Sequence, residues 1–292
     1  MLLLFIFFIE PRHIFTYCKY IYGMETMSLA HKLESNSIYI IREAYSRFRN
    51  IALLWSIGKD STTLLWLCRK AFFGQIPFPV VHIDTSYKFK EIYSFREKYA
   101  KQWNLRLLVE RNDLALADGM NNTQGKFICC DKLKTQTLKT AIHKYNFQAI
   151  LLGIRRDEHG IRAKERFFSL RNADQHWNYG TQEPELWDLY QTKSSTDHHF
   201  RVHPLLGWRE IDIWNYIQQE NIPVANLYFS KNKKRYRSIG CEPCCAAVSS
   251  EANSLKKIIR ELQTTKTSER SGRAQDKEDS YNMQKLRSLG YM

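Results

Sequence analysis

Residues 51–62, Ile51-Ala52-Leu53-Leu54-Trp55-Ser56-Ile57-Gly58-Lys59-Asp60-Ser61-Thr62, run from a short apolar segment through a single glycine into a Lys-Asp-Ser-Thr sequence. Just beyond them Leu64, Leu65, Leu67, Cys68, Ala71 and Phe72 recur at helical spacing, so the stretch reads as buried strand, tight turn and helix N-terminus. That order of elements aims successive backbone N–H groups and the positive end of a helix dipole at one point, which suits phosphate oxygens. It is not the GxxxxGK[ST] phosphate loop, because only Gly58 precedes Lys59. An ordinary strand-to-helix turn is the alternative.

Working outward, Leu33, Ile38, Ile40, Ile41 and Ala44 predict a lead-in helix within residues 29–48, packed at a sheet edge. On the other side Pro77-Phe78-Pro79 breaks the chain, and Val80-Val81-His82-Ile83-Asp84 reads as a second buried strand. Its polar groups gather at the carboxyl end, so Asp84, Thr85 and Ser86 are expected at the crevice of residues 56–62. Ile92, Phe95, Tyr99, Ala100 and Trp103 mark a helix and residues 105–109 a third strand, followed by a polar surface loop over 113–126. Leu133, Leu138, Ala141, Ile142 and Tyr145 mark the next helix. Residues 149–154 and 201–205 complete the strands, and a helix over 211–217 ends before Pro223. The alternation predicts an α/β fold, a doubly wound parallel sheet of about five strands, followed by a C-terminal helix at Leu255–Leu262 and an extended charged arm.

A chain of 292 residues with 43% apolar content is long enough for one large α/β domain with an appendage. Its net charge of +14 calls for an anionic partner: nucleotide, sulfate, acidic protein or RNA. Arg155, Arg156, Arg162 and Arg166 follow the fourth strand's carboxyl end, where ligands collect, and guanidinium forks suit phosphate and sulfate. A solvated basic loop is the plainer account. Cations gathered at one crevice favour a small anion, and no nucleic acid is expected. The apolar run Met1–Ile9 spans nine residues, too few to cross a bilayer, and lacks a basic lead, so neither membrane span nor signal peptide is expected. Asp197, His198, His199 and His203 read as a polar loop entering a strand rather than a metal site.

The segments SIGKDST (56–62), HIDTSYKFKEIYSFREKYAKQW (82–103), GIRRDEHGIRAKERFFSLR (153–171), PELWDLY (184–190), RVHPLLGWREIDIWNYI (201–217) and TSERSGRAQD (267–276) carry a resemblance. Together, from about Ile51 to the end, they resemble the small ATP-binding subunit of bacterial sulfate adenylyltransferase. That family belongs to a group that also contains adenylylsulfate and phosphoadenylylsulfate reductases. Its SxGKDS loop resembles the pyrophosphate loop of ATP pyrophosphatases. The resemblance implies an adenine nucleotide alpha-hydrolase-like fold and the formation of adenylylsulfate and pyrophosphate from ATP and sulfate in sulfate assimilation. It also implies Mg²⁺ with ATP, a GTPase subunit as partner and a cytoplasmic setting. Carried onto this chain, it puts Ser56, Gly58, Lys59, Asp60, Ser61 and Thr62 on pyrophosphate, with Lys59 compensating charge and Asp60 orienting the loop or helping to place Mg²⁺. Asp84 and Thr85 fall on the adenosine side, and Arg155, Arg156, Arg162 and Arg166 on sulfate and the α-phosphate. The implied organisation is an extension or start-site artefact over 1–27, with translation starting at Met24 or Met27, an ATP-binding domain over 28–234, and a cysteine loop, helix and arm over 235–292.

The seven cysteines depart from that family's pattern. They do not look like a secreted disulfide framework, and fit a reducing compartment better. Cys129-Cys130 followed by Cys241 and Cys244 resembles the [4Fe–4S] ligand set of adenylylsulfate reductases, with zinc in the same thiolate site, or plain thiols, as alternatives. Such reductases need a nucleophilic cysteine near the C-terminus, and none follows Cys245. That absence favours the adenylyltransferase over an iron–sulfur reductase, with a tRNA-modifying ATP pyrophosphatase and a non-catalytic nucleotide-binding subunit as further alternatives.

Overall fold

A computed structural model describes residues 28–187, 189–192, 198–273 and 282–291. The expected N-terminal extension and Asp197 lie outside the described residues. The chain runs α1 (Leu29–Arg47), β1 (Ile51–Leu54), α2 (Lys59–Ala71), β2 (Val80–Ile83), α3 (Lys90–Gln102) and β3 (Leu107–Glu110). It continues with α4 (Asp113–Ala117), α5 (Lys126–Cys130), a π-helical turn over Asp131–Gln136, α6 (Thr137–Tyr145), β4 (Ala149–Leu151), β5 (Phe168–Arg171), β6 (His199–Val202) and α7 (Glu210–Glu220). The small strands β7 (Lys234–Arg235) and β8 (Val248–Ser249), then α8 (Leu255–Thr264) and α9 (Asn282–Ser288), complete it.

The sheet has six strands in the order β3-β2-β1-β4-β6-β5. Five are parallel, as the alternation predicts, and β5 adds an antiparallel edge with Ser169 opposite Arg201. Sequence reasoning leaves Phe168–Arg171 inside the cationic loop, because pairing with a strand some thirty residues later is a tertiary event. Apolar side chains alternate between the two faces of β1, as the strand period requires. Ile51, Leu53 and Trp55 join α1, α2 and α7 in the larger core, while Ala52 and Leu54 meet Leu138 and Ile142 of α6 in the smaller one. The lead-in helix therefore covers a face of the sheet instead of its edge. Ser37, buried in α1, donates to Pro204 O at 2.8 Å and accepts from Trp208 Nε1 at 2.9 Å.

Strand order reverses between β1 and β4, so the loops leaving their carboxyl ends meet at a topological switch point, where such sheets bind ligands. Gly153, just after β4, sits where a Cβ would lie 2.9 Å from the backbone of Asp60 and Ser61. Gly153→Ala is therefore expected to push the start of α2 away, costing about 1–3 kcal/mol of stability, as read by thermal melting.

The predicted loop over 113–126 contains α4 and a 3-10 turn at Asn122–Gln124. The helix expected after it is longer than its apolar spacing shows, because the π turn joins α5 to α6 and adds a residue to the register.

Candidate nucleotide and oxyanion site

The loop after β1 is held in an unusual backbone. Ile57 is buried with φ of 67°, a left-handed conformation that a β-branched residue adopts only at a cost and that marks functional turns. Gly58 then caps α2, accepting at its carbonyl from Thr62 N at 3.0 Å. Trp55 Nε1 donates to Thr62 Oγ1 at 3.1 Å, and the hydroxyls of Ser56 and Ser61 lie 3.0 Å apart. Tyr228 accepts from Lys59 N at 2.8 Å, so the phenol stands where an oxyanion would meet the first turn of the helix.

Beneath the loop lies a buried ion network. Lys59 Nζ is 3.1 Å from Asp60 and also pairs with Glu269; Arg155 pairs with Asp60, Glu269 and Asp157. Burial works against the Glu269 charge, but Arg155 and Lys59 outweigh it and hold the carboxyl well below its usual range. Asp60 contacts both Lys59 and Arg155 while also lining the cleft.

The cleft above the loop has a volume of about 130 Å³. Its charged walls are Lys59, Lys88, Lys134, Arg162, Arg270 and Arg273 against only Asp60 and Glu158. Glu158 is shared, pairing with Arg162 and lying 3.2 Å from Arg270. Burial, with Arg270 and Arg287 nearby, pushes the Arg162 guanidinium well below its usual range. Burial lowers Lys88 as well, with Lys134 and Arg273 adding to the effect. Lys134 moves the other way: burial opposes its charge, yet Cys130, Cys241 and Tyr291 outweigh that. Lys88 and Arg162 are thus buried cations whose charge is disfavoured beside other cations, and an anionic ligand would relieve that.

The residues expected from sequence divide. Ser56, Gly58, Lys59, Asp60, Ser61 and Arg162 line this cleft, and Thr62 lies buried one residue behind it. Arg155 supports it from below. Arg156 does not line it, because its guanidinium lies over the Phe167 ring at 5.1 Å. Arg166 turns away to donate to Glu183 O at 3.2 Å. Asp84 accepts from Ser86 N at 2.8 Å and Tyr93 Oη at 3.0 Å, capping the end of β2 outside the cleft. Thr85 is buried with its Oγ1 3.1 Å from Cys241 Sγ. Lys88, Lys134, Glu158, Tyr228, Glu269, Arg270, Arg273 and Tyr291 escape the sequence reading. TSERSGRAQD carries three of them, and the segments over 82–103 and 153–171 carry Lys88 and Glu158, so those stretches were the available signal; Lys134, Tyr228 and Tyr291 reach the cleft through long-range packing.

Cys129, Cys130, Cys241 and Cys244 do come together, around a small neighbouring cavity of about 10 Å³ that shares Lys134 with the cleft. Burial and the nearby Cys130 raise the Cys129 thiol to about 12, whereas Lys134 and Lys88 overcome burial and lower Cys241 to about 7. Among the described residues, no three His, Cys, Asp or Glu side chains are arranged to hold a metal ion. The donor set thus does not fit the expected cluster or its zinc alternative. Instead a cation is already present, with Lys134 Nζ 3.9 Å from Cys130 Sγ. His199 and His203 are buried, His203 Nδ1 lying 2.7 Å from Arg166 O.

Residues 50–247 match the phosphoadenosine phosphosulfate reductase domain family. The sulfate adenylyltransferase subunit 2 of Colwellia psychrerythraea is 41% identical over 298 aligned positions, covering 91% of this chain and 100% of the relative. The chain belongs to the sulfate adenylyltransferase subunit 2 family. Members of the family from Sulfurimonas denitrificans and Bacteroides fragilis are each 40% identical, covering 92% and 91% of this chain and 99% of each relative. Solved structures share the fold: the phosphoadenylyl-sulfate reductase of Candida auris superposes with a TM-score of 0.51 at 16% identity, covering 82% of this chain and 98% of its own. The FMN adenylyltransferase of Candida glabrata gives 0.50 at 18% identity, covering 73% and 62%. Among the described residues no helix is long and apolar enough to cross a membrane.

Proposed function

We propose that this chain is the catalytic, ATP-binding subunit of a sulfate adenylyltransferase, a nucleotidyltransferase that makes adenylylsulfate and pyrophosphate from ATP and sulfate. The observation that carries this reading is the meeting, in one cleft, of the helix-capping turn at Ser56–Ser61 with the cations of later elements. A sulfate oxygen attacks the α-phosphorus of ATP; that P–O bond forms as the bond to the bridging oxygen breaks, and its electron pair leaves on pyrophosphate. Little covalent help is needed, so positioning and charge neutralisation supply the catalysis. The N–H groups of the turn and Lys59 receive the departing pyrophosphate, while Lys134, Arg162, Arg270 and Arg273 screen sulfate from the α-phosphate so that two anions can approach. Bound with ATP, Mg²⁺ would neutralise part of the phosphate charge, with Asp60 and Glu158 the carboxylates of the cleft wall that would hold it. The relatives' designation as subunit 2 supports a partner subunit, for which the sequence resemblance indicates a GTPase.

The test is sulfate-dependent pyrophosphate release from ATP, with and without a co-expressed GTPase subunit. Release that requires sulfate and Lys59 is expected. Sulfite production from adenylylsulfate with thioredoxin, without forward synthesis, would make the chain a reductase instead.

A further inference from the structure

The chain's far end returns to the cleft and builds part of its wall. After α9, Tyr291 N donates to Leu286 O at 2.8 Å and Gly290 N to Arg287 O at 3.0 Å. Gly290 makes the reversal with φ of 98°, and a Cβ there would come 2.8 Å from Gln175 O. Arg201, buried in β6, donates to the carbonyl of Tyr291 at 2.8 Å and to that of Gly290. Arg287 pairs with Glu165, which also holds Arg171 at 2.9 Å, and Trp177 N donates to Ser288 O at 3.0 Å. The anchors Arg201, Glu165 and Trp177 lie on three separate parts of the fold, and Tyr291 is buried against Cys130 and Leu286. Its phenol oxygen lies 3.4 Å from Lys134 Nζ, and both side chains line the cleft.

We propose that Tyr291 is a positioning residue for the sulfate half of the reaction, aiming the Lys134 ammonium at an oxyanion in the cleft. An ammonium has three N–H donors; Tyr291 Oη takes one and Cys130 Sγ faces another, leaving a third for the ligand. The lysine stem would otherwise rotate among several rotamers, so its ordering by the tail is part of the site's preorganisation. Arg162, which shares the Tyr291 neighbourhood, lines the same wall. The inference rests on the reading that sulfate binds in this cleft.

Tyr291→Phe keeps the ring and removes the oxygen. In adenylylsulfate synthesis with the partner subunit, its KM for sulfate is expected to rise about fivefold to tenfold, with kcat and the KM for ATP within about twofold of wild type. In parallel, the melting shift that sodium sulfate gives the isolated chain is compared with sodium chloride at equal ionic strength. Tyr291→Phe and Lys134→Met should each shrink the sulfate-specific shift, and the double variant should lose no more than Lys134→Met alone. An unchanged sulfate KM, or equal rises in the KM for ATP and sulfate, overturns the proposal. If wild type shows no sulfate-dependent turnover, the adenylyltransferase reading fails by itself, and the melting comparison still decides the role of Tyr291.

Discussion

Replacing Lys59 with methionine is expected to lower sulfate-dependent pyrophosphate release about 10²- to 10³-fold, the usual loss when a preorganised charge facing the developing anion is removed. Its side chain is almost wholly buried, beside the turn whose N–H groups face the cleft, so no solvent cation can replace it. The loss should fall mainly on kcat, since charge builds on pyrophosphate as the bond breaks. A second consequence follows from the pairing with Glu269. The single variant leaves Glu269 and Asp60 with Arg155 as their remaining close cation in this network, and some of the loss will reflect a loosened loop. The double variant Lys59→Met/Glu269→Gln restores the balance of charge. It should recover stability relative to Lys59→Met and remain inactive, which separates catalysis from folding. Recovery of activity in the double variant would show that Lys59 acts only by neutralising Glu269.

Glu269→Gln is expected to destabilise the protein by about 3–5 kcal/mol, because it leaves Lys59 and Arg155 as buried cations that have lost a shared partner. The melting temperature should fall by about 6–12 °C. The pH dependence has a definite sign. The carboxyl is held below its usual value of 4.5, so its contribution is fully present above that pH and is lost progressively as pH falls toward the depressed value. The stability gap between wild type and Glu269→Gln should therefore be constant near neutrality and narrow below about pH 4.5. A gap that widens in acid would mean that the carboxylate is not the charged partner of these two cations.

The fold was largely legible because its signals are local. Gly and Pro punctuation, four-residue apolar strands and helical spacing identify the five parallel strands and the helices between them. Antiparallel β5 was not legible, since Phe-Ser-Leu-Arg alternates apolar and polar over only four residues, too briefly to stand out from the cationic segment around it. The π turn over Asp131–Gln136 was missed for a related reason: one added residue in a turn leaves no mark on composition.

At the site the same division holds. Sequence alone determined that Ser56–Thr62 is a strand-to-helix turn of the kind suited to phosphate oxygens, because a short strand, a glycine and a helix N-terminus are contiguous and their geometry follows from backbone chemistry. It also brought Cys129, Cys130, Cys241 and Cys244 under one expectation, yet coming together is not coordination, and Lys134 stands beside the thiols where a metal would have balanced their charge. Only the tertiary structure decided which cations face the cleft. Arg155, Arg156, Arg162 and Arg166 are near neighbours in sequence, yet one is buried in an ion network, one stacks on Phe167, one lines the wall and one turns to a loop carbonyl. Glu269, Arg270, Arg273 and Tyr291 come from more than two hundred residues beyond the turn. Charge acts through space while sequence orders residues along the chain, so the turn could be read directly and its counter-charges had to wait for the fold.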